Sequence, residues 1–315
     1  MRYSDSFGQR SSKILLGTAY FGDTISEAES FDIMDKYVSL GGCHIDTARL
    51  YADGEAEKVI GRWLKSRRPE GIFLSTKGAF PAKDTPDVSR LSEADIRSDV
   101  EASLAALGID CIDFYWLHRD DESIPAGRII ETMNKLVKEG KIKKFGASNW
   151  THQRINEANI YAASHDLSGF AASQIRFSPA IIAPNGNADR TLVDMTAEAF
   201  CYYGEKSMPV AAYASQSKGF FSKMASKGEA GLSPKSKGRY LCNENLRRLD
   251  VIKNLAAKYN CSIAALICGA LCSLSNPDVF PIIGGSNTSQ IEDSMGGGDI
   301  VLTSEELKSI FGYDI

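Results

Sequence analysis

The sequence predicts an α/β fold: one (β/α)8 barrel spanning residues 1–315, with a long loop after its seventh strand. Three observations lead there. Short apolar runs bounded by turn residues alternate with helix-period patterns along the whole chain, the signature of strand–helix units. About eight such units fit in 315 residues, the number that closes parallel strands into a TIM barrel ringed by helices. The competing arrangement, an open doubly wound sheet, wants a Gly-x-Gly-x-x-Gly turn after an early strand. Here the first strand runs instead into Gly17-Thr18-Ala19-Tyr20. No shift of composition marks a domain boundary.

The strand candidates, in order, are Ile14–Thr18, Cys43–Thr47, Ile72–Lys77, Ile112–His118, Lys144–Ser148, Gly169–Gln174, Met208–Tyr213 and Val279–Ile283. Helical patterns fall between them. Ser92 is placed to cap a helix, with Asp95 three residues on. Ile96, Val100, Leu104 and Leu107 then share one face, and Gly108 supplies the stop. Ile129, Ile130, Met133, Leu136 and Val137 repeat the pattern up to Gly140, and Thr151 can cap the next helix. Gly219 to Asn243 is rich in Ser, Lys and Gly and reads as the long loop. The glycines Gly296 to Gly298 read as a flexible turn.

Composition narrows the function classes. The chain is 43% hydrophobic and carries a net charge of −4, so it can bury a full core and offers no basic field to nucleic acid. No apolar run reaches the ~20 residues of a membrane span, and Met1 to Lys13 lacks the apolar stretch of a signal peptide. The seven cysteines, Cys43, Cys111, Cys201, Cys242, Cys261, Cys268 and Cys272, are odd in number and irregularly spaced. They suggest reduced thiols and a cytoplasmic protein. Cys268 and Cys272, a helical turn apart, read as small buried hydrophobes, with metal ligation or a redox pair as the alternative. The four histidines show no ligand spacing, so no metal is expected.

Four polar residues carry the chemistry. Asp46, Lys77 and His118 each end or follow a short apolar run, and Tyr51 lies just beyond one. Singly they would read as a strand-end cap, a solvated lysine, a structural histidine and a loop aromatic. Together, at the C-terminal ends of successive parallel strands, they converge on one barrel mouth. A free phenol ionises near ~10, and an adjacent ammonium stabilises its phenolate. A lysine following a buried strand needs a counter-charge, which Asp46 can supply. A histidine can share the hydrogen bond to the same oxygen. The set can protonate a carbonyl oxygen, with Tyr51 as general acid in reduction and general base in reverse.

At these residues the sequence resembles the aldo-keto reductase superfamily. Asp46-Thr47-Ala48-Arg49-Leu50-Tyr51-Ala52-Asp53-Gly54 is similar to the family's Asp-Thr-Ala-x-x-Tyr-Gly-x-Gly stretch. Ser75-Thr76-Lys77 and Asp113-Phe114-Tyr115-Trp116-Leu117-His118 match its lysine and histidine strands, and Gly140 to Asn149 a further segment. The resemblance runs from about Lys13 to Leu307 and is nearest to bacterial members whose fourth strand ends Leu-His-Arg-Asp-Asp, as at Leu117 to Asp121. It implies a barrel with a nicotinamide cofactor across its mouth and a C-terminal cofactor-binding segment. By the same resemblance Ser148, Asn149 and Gln174 would hold the carboxamide, and Tyr213 would stack on the nicotinamide. Gly17 and Thr18, with Asp46, would line ring and ribose. Ser215, Gln216 and Gly219 would approach the pyrophosphate, and Gly284, Ser286, Asn287, Gln290 and Asp293 the adenosine end. Ala52 and Ala56 stand where relatives usually have glycine and serine, and Ser294 where an asparagine usually reads adenine. Many relatives also place an arginine or lysine near Ser286 to pair with the 2′-phosphate of NADPH. Ser286 and Asn287 carry no charge, which weakens that preference and opens NAD(H), but a hydroxyl, an amide and a helix N-terminus can still hold a phosphate, so NADP(H) stays favoured.

Tyr20, Phe21, Arg49, Trp116, Arg119 and Trp150 are the expected pocket rim, aromatics for an apolar body or sugar face and arginines for an anion or hydroxyls. The alternative for the arginines is pairing with local acids such as Asp53, Asp120 or Asp121. The expected partner is a small-molecule carbonyl compound. Two other readings remain: a slow-turnover, cofactor-sensing regulatory protein on the same fold, and a barrel hydrolase with paired carboxylates. The hydrolase would want strand-end acid pairs, and Asp46 alone fits that description.

Overall fold

Eight short strands pair in chain order, all parallel, and the last closes onto the first. They are Leu15–Gly17 (β1), His44–Asp46 (β2), Phe73–Gly78 (β3), Ile112–Leu117 (β4), Ile142–Ser148 (β5), Ser173–Arg176 (β6), Val210–Tyr213 (β7) and Val279–Ile283 (β8). All eight predicted strands are present, the last with the predicted bounds and the others differing at one or both ends. The computed structural model describes residues 1–312 except 185, 187 and 188. Residues 313–315 of the predicted domain lie outside the described residues.

The register positions the site. Gly17 pairs with Asp46, Asp46 with Ser75, Lys77 with Trp116, and Ser148 with Gln174. Since side chains alternate along a strand, Phe73, Ser75 and Lys77 point into the barrel. Leu74 and Thr76 point out to the helices. Phe114 and Trp116 likewise face in, and Tyr115 and Leu117 join the outer core.

The helices start and stop where their caps dictate. Ser92 accepts from the Asp95 amide to open Glu93–Leu107, which ends at left-handed Gly108. Ala126–Lys138 is followed by Gly140 at φ +72, and Thr151 caps His152–Ser164. The predicted long loop is corrected. Its span holds the helices Phe220–Lys227 and Pro234–Tyr240 and the start of Asn243–Lys258. Ser233 caps the second, with Pro234 at its first position, a start signal hidden by the polar composition. The helix Ile263–Ser273 buries Cys268 and Cys272 as free thiols. Gly296–Asp299 is not a flexible turn but a 3-10 turn packed on that helix. A Cβ at Gly297 would lie 2.3 Å from the Ala265 carbonyl oxygen, so glycine serves close packing there.

The end of the barrel opposite the mouth is plugged from a segment that the sequence left unassigned. Tyr3–Ser4 and Ser11–Ser12 form an antiparallel hairpin. Its connecting residues insert Phe7 among Phe73, Phe114, Trp116 and Phe280, with ring centroids 4.7 Å apart for Phe7 and Phe280. Phe7, with only Tyr3 as a second aromatic in a polar stretch, has no periodicity to betray it.

Candidate active site

Backbone pairing past the end of β2 builds the site. The amides of Thr47 and Arg49 donate to the carbonyls of Ser75 and Lys77, which carries the chain along β3. A tight turn follows, with Ala52, Asp53 and Gly54 all at positive φ. It turns Tyr51 back so that its hydroxyl lies 3.2 Å from Lys77 Nζ. Lys77 is 1% exposed. It donates to Asp46 Oδ2 at 2.5 Å and to the Thr47 carbonyl at 2.7 Å. The other Asp46 oxygen accepts from Ser75 Oγ at 2.8 Å and from Gln174 Nε2 at 3.1 Å. Burial pulls the Lys77 pKa down, but the Asp46 carboxylate and the Tyr51 oxygen outweigh it, and the net shift is upward. The side chain therefore stays an ammonium.

His118 follows β4, and its ring lies edge-on to Tyr51 with centroids 6.2 Å apart. Burial, then the Lys77 and Arg119 charges, hold it well below the usual histidine range, so it is neutral near neutral pH. Its Nδ1 is buried with no hydrogen-bond partner. The structure thus brings Asp46, Tyr51, Lys77 and His118 together.

The residues expected around the cofactor form three groups. At the ends of β5 and β6, Ser148, Asn149 and Gln174 are buried beside one another. Asn149 Oδ1 accepts from the Tyr213 hydroxyl at 2.6 Å, and its Nδ2 donates to Ser148 Oγ at 3.2 Å. Between β8 and β1 the wall is backbone. A Cβ on Gly17 would come within 2.8 Å of Ile282, while one on Gly284 would stand in open space 3.9 Å from the Gly17 carbonyl. Thr18 Oγ1 donates to the Asp46 carbonyl and Ser215 Oγ to that of Ile282. Gly219, at φ +75, opens the helix Phe220–Lys227. Further out, Asn287 caps the helix Thr288–Met295, and Ser286 donates to Gln290 Oε1. Asp293 is exposed on that helix. Gln216 Nε2 donates to Ser294 Oγ at 2.9 Å.

The predicted rim is largely corrected. Tyr20 is half-exposed after β1, but Phe21 is buried among the outer helices. Trp116 lies inside the barrel in the aromatic layer, 4.4 Å from Phe114. Trp150 packs outside against Phe170 at 4.9 Å. Arg49 turns away to Gly54 and a groove shared with Lys58, Arg62 and Lys65. Arg119 remains near the mouth, stacked at 4.7 Å on Phe80, whose ring lies 5.1 Å from His118. It is held by Thr191 Oγ1 at 2.9 Å and Asp189 at 3.5 Å, an acid other than those expected. Phe80 and Ser75 were missed. Counting back by two from Lys77 would have placed Ser75 inside, whereas Phe80 lies past the strand end, where periodicity stops. Among the described residues no cluster of three or more His, Cys, Asp or Glu could hold a metal ion.

A family profile described as the aldo/keto reductase family matches residues 13–314. Norsolorinic acid reductase of Aspergillus flavus is 27% identical, over 98% of this chain and 79% of that protein. The uncharacterized oxidoreductase YrpG of Bacillus subtilis is 28% identical, over 98% of this chain and 94% of its own length. A thermostable aldo-keto reductase, Tm1743, solved with the inhibitor epalrestat, superposes with a TM-score of 0.75 at 20% identity, covering 99% of both chains, and shares the fold.

Proposed function

The chain belongs to the aldo/keto reductase family, and on that premise we propose that it reversibly reduces an aldehyde or ketone to an alcohol, with Tyr51 as proton donor and NADP(H), in preference to NAD(H), as cofactor. The observation that carries this reading is the buried Lys77 ammonium, 2.5 Å from Asp46 and 3.2 Å from the Tyr51 hydroxyl.

The residues present fit a dinucleotide. Beside Gly17, which neighbours Asp46 in the sheet, the position of a Cβ on Gly284 is open space. Ser148, Asn149 and Gln174 combine amide and hydroxyl groups suited to a carboxamide, next to the Tyr213 ring. The start of the helix Thr288–Met295 suits a phosphate. When bound, a reduced nicotinamide supplies two electrons to the carbonyl carbon as hydride. The chain does the rest. His118 Nε2 orients the carbonyl oxygen. Tyr51 gives that oxygen its phenol proton. The phenolate left behind faces Lys77, an attraction on the order of 4 kcal/mol at an effective dielectric near 20. Asp46 holds the ammonium in place throughout. In the oxidising direction Tyr51 takes the proton back. The substrate is a small carbonyl compound whose body meets Tyr20, Phe80 and the stacked Arg119.

The test follows loss of reduced-cofactor absorbance with an aromatic aldehyde, using NADPH and NADH in parallel. Tyr51→Phe is expected to lower turnover by ~10²–10⁴ and to keep cofactor affinity. Equal turnover in the variant would remove Tyr51 as the acid. Cofactor binding without turnover in the wild type would favour the sensor. Ser286→Arg is expected to raise the NADPH-to-NADH affinity ratio about tenfold, the worth of one charge-assisted hydrogen bond. An unchanged ratio would put the 2′-phosphate away from this residue.

A further inference from the structure

The barrel interior holds a histidine that this chemistry does not use. His44 is fully buried, two residues before Asp46 on β2 and on the same inward face. Its Nε2 lies 3.0 Å from Ser75 Oγ and its Nδ1 lies 2.8 Å from Ser11 Oγ. Ser75 Oγ donates to Asp46 Oδ1 at 2.8 Å.

From Asp46 back to His44 the direction of each bond follows from proton counting. Asp46, ion-paired with Lys77, has no proton to offer. The single Ser75 proton is therefore committed to Asp46, and toward His44 the Ser75 oxygen can only accept. His44 Nε2 must carry the hydrogen. Burial and the Lys77 charge hold His44 well below the usual histidine range, so the ring is neutral and has one N–H. Nδ1 then has no hydrogen and faces Ser11 Oγ, whose single proton has two acceptors in reach, this nitrogen at 2.8 Å and the Ser12 carbonyl at 3.0 Å. A line of donors results, from His44 to Ser75 and to Asp46, which Lys77 meets from the other side before reaching Tyr51.

We infer that His44 is a positioning residue for the proton donor: its Nε2–H sets Ser75, Ser75 sets the rotamer of Asp46, and Asp46 sets the Lys77 ammonium beside the Tyr51 hydroxyl. The inference rests on the reading of Tyr51 as the acid. It also ties the hairpin at the closed end to the mouth, because Ser11 belongs to that hairpin. The bland alternative is packing alone, since His44 also meets Phe73 at 4.2 Å and Phe7 at 5.3 Å, both edge-on.

Two measurements separate them. Nitrogen-15 NMR of the imidazoles, with His44 assigned by comparison with His44→Gln, is expected to show a neutral ring protonated on Nε2. A ring protonated on Nδ1 would overturn the inference. In the aldehyde assay, Ser75→Ala and His44→Phe are each expected to lower kcat roughly tenfold, short of the ~100-fold that a misplacement of about 1 Å costs. KM for cofactor should stay unchanged. His44→Gln, which keeps a terminal N–H donor, should recover to within about threefold of wild type. Wild-type kcat in Ser75→Ala, or equal losses in His44→Phe and His44→Gln, would leave packing as the whole role. Should His44→Phe not fold, Ser75→Ala carries the test. Tyr51→Phe in the same assay keeps the two claims apart. Turnover indifferent to Tyr51 sinks the parent reading. A dead Tyr51→Phe beside a fully active Ser75→Ala sinks this one alone.

Discussion

The two ends of this barrel are filled by opposite means. At the closed end Phe7, Phe73, Phe114, Trp116 and Phe280 fill the space with rings. At the mouth, one layer up the same strands, Asp46, Ser75, Lys77 and Gln174 fill it with hydrogen bonds. Apolar contact is non-directional, so the closed end depends on volume and tolerates some repacking. A buried ion pair depends on partners, and removing one strands the other. The lower layer therefore supports the fold and the upper layer is arranged for chemistry. In β3 the change falls between Phe73 and Ser75, neighbours on one inward face.

Three experiments can break or sharpen that contrast. The largest effect is expected from Phe280→Ala, whose cavity should cost about 3–5 kcal/mol of stability, read as a lower denaturant midpoint. Activity of the folded fraction should persist. Loss of turnover without loss of stability would dissolve the division between layers. Next is acid sensitivity, because each layer shelters one neutral histidine, His44 below and His118 above. Both have folded pKa values depressed below the ordinary ~6.5. As pH drops through that value the unfolded chain takes up protons that the native state refuses, so stability falls, by about 1.4 kcal/mol per pH unit for each histidine. Urea midpoints at pH 7.5 and 5.5 would show this, and His118→Gln should lose less than wild type. An equal loss would mean that His118 is protonated in the native state. The smallest effect is expected from Ala52→Gly. Ala52 sits at φ +49 in the turn that presents Tyr51, and a Cβ there costs about 1 kcal/mol. Glycine should raise Tm by about 2 °C, and an unchanged melting curve would show that the turn bears no strain.

The strand ends were legible because periodicity and turn residues mark them, and three of the four candidate catalytic groups lie within one residue of a strand end. The directions of residues beyond the strands were not. Arg49, Trp150 and Phe21 occupy connections whose backbone sets where each side chain points, and that course depends on contacts distant in sequence. Trp116 was misplaced for a different reason: its inward direction follows from the alternation, but its depth below the mouth follows from the stagger of β4 against β3. Phe7 and the helices after Gly219 were hidden by polar composition, although Ser233-Pro234 held a start signal.

Ring closure also has a consequence for how the chain is made. β1 reaches its second neighbour through Leu15 and Ile282, so during synthesis it waits as an open edge until nearly the whole polypeptide has emerged. Asp46, Lys77 and His118 sit on or just after β2, β3 and β4. Their meeting needs only the first part of the chain, while Gln174, which completes the shell of Asp46, comes two strands later. A nascent half-barrel would hold this ion pair with water still at its flank, and only the closing strands would make it dry.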